Sequence, residues 1–208
     1  MSTRFNRFGL SCLAALSVLT SLAAGAAPPA TPARAASPLP ADSIYQLPLS
    51  LIDQGGQTFQ LLDRQGQPML VSMFYTSCQF VCPMLIDAIR ATQQQLSEGE
   101  RARLSVLMVS FDPAKDSVTV LKQTADERHL DPARWTLART DPKSVRKLAA
   151  VLGIQYRQLA NGEFNHSAAL LLVDADGRIR GKTAQLGNAD PAFVKQIRAT
   201  LASPQTQP

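Results

Sequence analysis

No block of five or six basic residues occurs in this 208-residue chain, although 21 Lys+Arg outnumber 16 Asp+Glu and leave a formal net charge of +5. Scattered charge of that kind does not make a nucleic-acid footprint, so nucleic acid is not expected as a partner. Uninterrupted apolar runs are short. The charge-free stretch from Phe8 to Arg34 is broken by Pro28, Pro29 and Pro32, whereas a spanning helix needs about 20 strongly apolar residues. No internal repeat is present. Histidine is scarce, with two residues, and so is cysteine, with three. What the chain does have is a 45% hydrophobic composition. At this length that suffices for one well-packed domain and is too little for two.

The charge and the odd cysteine both trace partly to the N-terminus. Arg4 and Arg7 precede an uncharged Leu/Ala-rich stretch, Leu10 to Ala24, and Ala24-Gly25-Ala26 offers small residues for cleavage. This is the tripartite pattern of a secretory signal. The expected organisation is a signal peptide at 1–26 (a retained anchor is the alternative), a disordered Ala/Pro-rich linker at 27–42, a domain at 43–202 and a tail at 203–208. Removing 1–26 leaves 19 basic and 16 acidic residues, a charge of +3, and removes Cys12. Cys12 sits in a poor lipidation context, with the bulky apolar residue one place off. The expected location is the periplasm, free or tethered to the inner membrane. That compartment is oxidising, so the two remaining thiols need a reason to stay reduced.

Within the domain, Tyr45 to Ile52 alternates as a strand and Thr58 to Leu62 reads as a second, joined through Gly55-Gly56 into an N-terminal hairpin. Pro68 to Tyr75 is a continuous apolar run of buried-strand type, as is Leu104 to Phe111. Helical spacing starts at Pro83, expected at the first helical position, and ends before Gly99. Asp116 to Arg128 and Lys143 to Leu152 are the next predicted helices. Ala168 to Asp174 and Arg178 to Thr183 form a hairpin about Ala175-Asp176-Gly177, and Asp190 caps a last helix opened by Pro191. The order β-β-β-α-β-α-α-β-β-α predicts an α/β protein with a central mixed sheet flanked by helices, in a thioredoxin-like arrangement.

The chemistry concentrates in Cys78-Gln79-Phe80-Val81-Cys82-Pro83, between a buried strand and a helix. A helix N-terminus stabilises thiolates, which serve as nucleophiles and as metal ligands. Three intervening residues, not the two of thioredoxin-type pairs, put the sulfurs on one face if both lie on a helical turn. They would converge on one soft ion, and a Cα separation of about 6 Å still permits a disulfide. Pro83 follows Cys82, so haem attachment is not indicated. His166 lies in a polar loop, Asn161 to Ser167, before an apolar strand. In thioredoxin-like folds that loop faces the cysteines and usually carries a proline, absent here. His166 is thus either a surface histidine or the third member of a Cys78, Cys82, His166 set apt for Cu(I) and able to accept Cu(II). His129 reads as a solvated helix-end residue. Met69, Met73 and Met108 read as core, and so does Met84, with a thioether contact to the metal as its alternative.

Phe74-Tyr75-Thr76-Ser77-Cys78, Cys82-Pro83, Val109-Ser110-Phe111-Asp112-Pro113, Trp135, Asn165-His166-Ser167 and Val173-Asp174-Ala175-Asp176-Gly177 together resemble the SCO/SenC family of periplasmic and mitochondrial copper proteins, over about Leu47 to Leu201. The resemblance implies a thioredoxin-like fold and one copper, Cu(I) or Cu(II), held by Cys78, Cys82 and His166. It also implies a role in assembling the dinuclear CuA centre of cytochrome c oxidase, by copper delivery, by thiol reduction of the acceptor, or by both. Implied partners are cytochrome c oxidase subunit II or another cuproprotein, with other copper chaperones or thioredoxin-like reductants. Departures are Gln79-Phe80 where the family commonly has Pro-Asp, and Asn165 where it commonly has Asp, which make the site less acidic. Asp112 matches an acidic position near the family's site; capping the turn at Pro113 is its other reading. Two functions therefore compete. A copper metallochaperone needs all three residues. A thiol–disulfide oxidoreductase needs Cys78 and Cys82 as redox thiols but not His166. A peroxidase fits poorly, because Thr76 stands two residues before Cys78 and not three.

Overall fold

The computed structural model describes residues 38–203, so the expected leader, Cys12 and the greater part of the linker and tail lie outside the described residues. A seven-stranded mixed sheet forms the centre. Its strands are β1 (Ser50–Asp53), β2 (Thr58–Gln60), β3 (Met69–Phe74), β4 (Ser105–Ser110), β5 (Trp135–Arg139), β8 (Leu170–Val173) and β9 (Ile179–Thr183), in the order β2-β1-β5-β4-β3-β8-β9. β3, β4 and β5 run parallel, and the flanking pairings are antiparallel. All six residues of β3 are buried, as a central strand covered on both faces requires. The helices are α1 (Val81–Gln94), α2 (Glu98–Ala102), α3 (Val118–Glu127), α4 (Pro142–Val151) and α5 (Pro191–Ala202). α3 packs on β5 and β1, and α5 on β9. Among the described residues no helix is long and apolar enough to cross a membrane.

The expected α/β class, the mixed sheet and the N-terminal hairpin β1–β2 are present, and the helix starts follow their capping chemistry. Asp141 and Asp190 accept N–H groups of α4 and α5, each with proline at the first turn. α3 starts at Val118, two residues after the expected Asp116, and Ser117 caps it. His129 follows α3 in the left-handed region, φ 50°, and ends it there.

Four expectations fail. The helix expected to run to just before Gly99 ends at Gln94, and Ser97 caps a separate helix, α2. The run from Tyr45 does not begin a strand. Ile44–Gln46 is a 3-10 turn capped by Ser43. The Ile44 N–H donates to the Gly177 carbonyl at 2.9 Å, and the Tyr45 hydroxyl donates to the Arg64 carbonyl at 3.0 Å. Gly177, at φ +85°, makes this crossing possible, since a Cβ there would stand 2.3 Å from Ser43 Oγ. The expected sequence of elements also omitted β5, which lies between β4 and β1 and joins the N-terminal hairpin to the sheet. Lastly, the predicted loop before β8 is a hairpin of β6 (Tyr156–Gln158) and β7 (Phe164–His166), a separate two-stranded sheet.

Candidate metal centre

β3 ends at Phe74, and the chain then turns sharply, the Cys78 N–H donating to the Tyr75 carbonyl at 3.2 Å. Cys78 precedes α1, and Cys82 lies in its first turn. The expected helical i, i+4 placement therefore gives way to a loop that folds back. The Cys82 N–H donates to Cys78 Sγ at 3.3 Å, so Cys78 takes one of the free N–H groups that a capping side chain would otherwise satisfy. Pro83 is the third residue of α1, not the first, and still occupies the turn where N–H groups lack helical partners. Cys82 is buried and Cys78 half-buried, both as free thiols.

The loop is held from below. Asp116, 1% exposed, accepts the Thr76 N–H at 3.1 Å, the Thr76 hydroxyl and the Ser110 hydroxyl. That inward turn explains why Ser117 caps α3. With its hydroxyl given to Asp116, Thr76 is engaged in positioning the loop. Burial raises the Asp116 pKa, and the hydroxyl and N–H donors oppose it. A residue that reads as the start of a helix is thus the support of the cysteine loop, and nothing in its sequence context distinguishes the two.

His166 is the last residue of β7, half-buried against an aromatic layer. Its ring lies 5.9 Å from that of Tyr75 at 87°, and 5.0 Å from that of Phe111. Tyr75 and Phe164 rings are 5.2 Å apart, and Phe111 stacks on Tyr156 at 5.3 Å. These rings fasten the small sheet to the ends of β3 and β4. The result brings all three expected residues together: one ligand atom each from Cys78, Cys82 and His166 lies within 4.8 Å of the others.

The two sulfurs are electrostatically unequal. The hydrogen bond from the Cys82 thiol, with further help from the Cys82 and Phe80 N–H groups and His166, pulls the Cys78 pKa down to about 4 against burial. The Cys82 thiol moves the opposite way, raised by its bond to Cys78 and by burial. The metal-free pair thus shares one proton between a thiolate and a thiol. A cation that replaced that proton would meet two sulfur donors and one imidazole, a soft set.

Other residues stand apart from the expectations. His129 is exposed and belongs to no metal-ligand cluster among the described residues. Met69, Met73 and Met108 are buried as expected, but Met84 is 44% exposed and not core. Phe80, between the cysteines, is 77% exposed. The Asp112 side chain does not cap the turn at Pro113; its backbone carbonyl does, accepting from Lys115 and Asp116. Asp112 is instead buried, its Oδ2 without a hydrogen-bond partner and 3.8 Å from Lys115 Nζ.

"Protein SCO2, mitochondrial" from Saccharomyces cerevisiae is 25% identical over 134 residues, covering 63% of this chain and 44% of the yeast protein. The chain spans 66% or less of the first curated relatives it matches. The crystal structure of Arabidopsis thaliana ScoI with copper bound superposes with a TM-score of 0.63 at 20% identity, covering 74% of this chain and 98% of that one. BsSco, described through a disulfide switch and as a member of the Sco family of cytochrome c oxidase assembly proteins, gives a TM-score of 0.64 at 18% identity, covering 76% and 93%. These likenesses show the fold, a thioredoxin-like one. The SCO1/SenC family model matches residues 39–202, and over that span, nearly all that the structure describes, the chain belongs to the SCO1/SenC family.

Proposed function

We propose that the protein binds one copper ion through Cys78, Cys82 and His166 and serves as a copper chaperone in the assembly of cytochrome c oxidase. The observation that carries this reading is the convergence of two sulfurs and an imidazole nitrogen within 4.8 Å, the donor set preferred by Cu(I). It is supported by the copper-bound relative and by the assembly role stated for BsSco. The finer reading is delivery to the CuA centre of subunit II, in the periplasm, after export directed by the Arg4/Arg7 and Leu10–Ala24 segment. The test is Cu(I) competition against a chelator with metal counting. One equivalent should bind, none should be retained in Cys78→Ser or Cys82→Ser, and binding should be strongly weakened in His166→Ala, which removes one of three donors. A wild-type chain that takes up no Cu(I) sinks the reading. Intact mass of the exported protein gives the mature N-terminus.

A second reading is favoured by the low pKa of Cys78. Its thiolate is poised to attack a partner disulfide, releasing one partner thiolate. Cys82 then loses its proton and attacks Cys78 in the mixed disulfide, freeing the second, so that the partner is reduced by two electrons as Cys78–Cys82 is oxidised. Assembly activity retained in His166→Ala would select this reading over copper delivery.

A further inference from the structure

Beside the metal centre, and sharing Phe111 with its aromatic layer, lies an open cleft of about 420 Å³. Its walls include Phe111, Asp112, Arg146, Tyr156, Arg157 and Gln158. All three residues of β6 line it, against one of β7.

The pairing of β6 with β7 fixes which main-chain groups are free. Ser167 N–H donates to the Gln155 carbonyl at 2.8 Å, and Leu159 N–H to the Glu163 carbonyl at 2.7 Å. In an antiparallel ladder hydrogen-bonded pairs alternate, so Arg157 pairs with Asn165 and the N–H and C=O groups of Tyr156 and Gln158 turn outward. No partner for those four groups exists among the described residues. An open edge of this kind is a template for one more strand.

Charge selects the occupant. Arg146 and Arg157 are exposed and make no ion pair among the described residues, whereas the Glu163 carboxylate at the hairpin turn accepts from Asn161. Two unpaired guanidinium groups flanking an open strand edge match carboxylates on an extended chain. The carboxylate in the cleft wall, Asp112, is buried and already stands 3.8 Å from Lys115 Nζ, so its charge is met from within the protein. Its volume suits a few residues of extended peptide.

We infer that this cleft docks an acidic, extended segment of the partner protein, which adds to the edge of β6 and sets its carboxylates on Arg146 and Arg157. The partner is thereby held on the hairpin that carries His166. This rests on the reading of the protein as one that serves a partner chain, but peptide binding is measured without metal and stands or falls separately.

The test uses the purified, reduced, metal-free protein and a labelled peptide of alternating Val and Glu, acetylated and amidated, in low-salt buffer. It should bind about tenfold or more tightly than its Val/Lys counterpart. Arg146→Glu with Arg157→Glu, both at exposed positions that leave folding intact, should remove that preference. N-methylation of alternate peptide bonds should abolish binding, and the Tyr156 and Gln158 amide protons should shift and gain exchange protection. Equal binding of the two peptides, an unaffected double variant, or unmoved Tyr156 and Gln158 amides would each overturn the inference. A protein that binds the peptide but no copper overturns the metal reading alone; the converse overturns the cleft alone.

Discussion

The two cysteines and the histidine are delivered to one point by regions built on different principles. The cysteine side is rooted in the core. β3 is wholly buried, Cys82 is 4% exposed, and the Asp116 carboxylate ties the loop between them to β4 through Thr76 and Ser110. The histidine side is a pair of three-residue strands, none of whose six residues is buried, joined to the main sheet by rings and not by a ladder. Small sheets are marginal alone and open at low free-energy cost. The difference teaches that the sulfur pair is preorganised, while the third donor sits on an element that can lift without disturbing the core. On the proposed copper reading, a two-sulfur site whose imidazole sits on so weakly held an element is suited to hand a soft ion on.

The strongest way to break that contrast is at its hinge. Phe111 is 3% exposed at the end of β4 and carries ring contacts from Tyr75, Tyr156, Phe164 and His166. Phe111→Ala should lower unfolding free energy by about 3–5 kcal/mol in urea titration and weaken metal binding as well. If stability is unchanged, the hairpin is not mounted on this ring.

Thiol reactivity probes the cysteine side alone. Thiolate fraction rises with pH through the pKa, so Cys78, at about 4, should be alkylated rapidly at pH 6 and slow as pH falls below 4. An ordinary thiol is about 1% thiolate or less at pH 6. Cys82, pushed up, should lag Cys78 by about a hundredfold or more across this range. Mass spectrometry of single-site adducts reads the ratio. Equal rates would contradict the unequal pair.

The contrast also explains what could be read from residues alone. Continuous apolar runs announced β3 and β4, the Asp190-Pro191 pair announced α5, and the spacing of Cys78 and Cys82 beside a strand end announced the sulfur pair. β5 escaped because Trp135-Thr136-Leu137-Ala138-Arg139 neither alternates nor runs apolar; its burial comes from lying between β4 and β1. The hairpin of β6 and β7 escaped because three-residue strands have no period to detect, and aromatic contacts from distant segments hold it. His166 was still locatable, since topology alone brings the loop before β8 over the end of β3. Asp116 was not, because an Asp before Ser117 and an apolar helix looks like any cap.

Asp116→Ala tests the support directly. It leaves the Thr76 N–H and two hydroxyls without their acceptor, at about 1–3 kcal/mol of stability. The effect should reach the cysteine loop first, seen as faster amide exchange near Thr76 while β6 and β7 stay as in the parent. An unchanged urea midpoint would show that water replaces the carboxylate there.

The smallest stability change should accompany the most selective functional one. Phe164 is half-buried in β7, with ring contacts to Tyr75 and Phe111 and, within the hairpin, to Tyr156. Phe164→Leu keeps apolar volume but removes the ring contacts, at about 0.5–1.5 kcal/mol locally. Because the hairpin opens separately from the core, little of this should appear in global unfolding. It should appear as faster amide exchange in β6 and β7 and as weaker Cu(I) retention, with Cys78 alkylation at pH 6 unaltered. A loss spread evenly over both regions would mean that they unfold as one unit, and that His166 is as firmly built in as the cysteines.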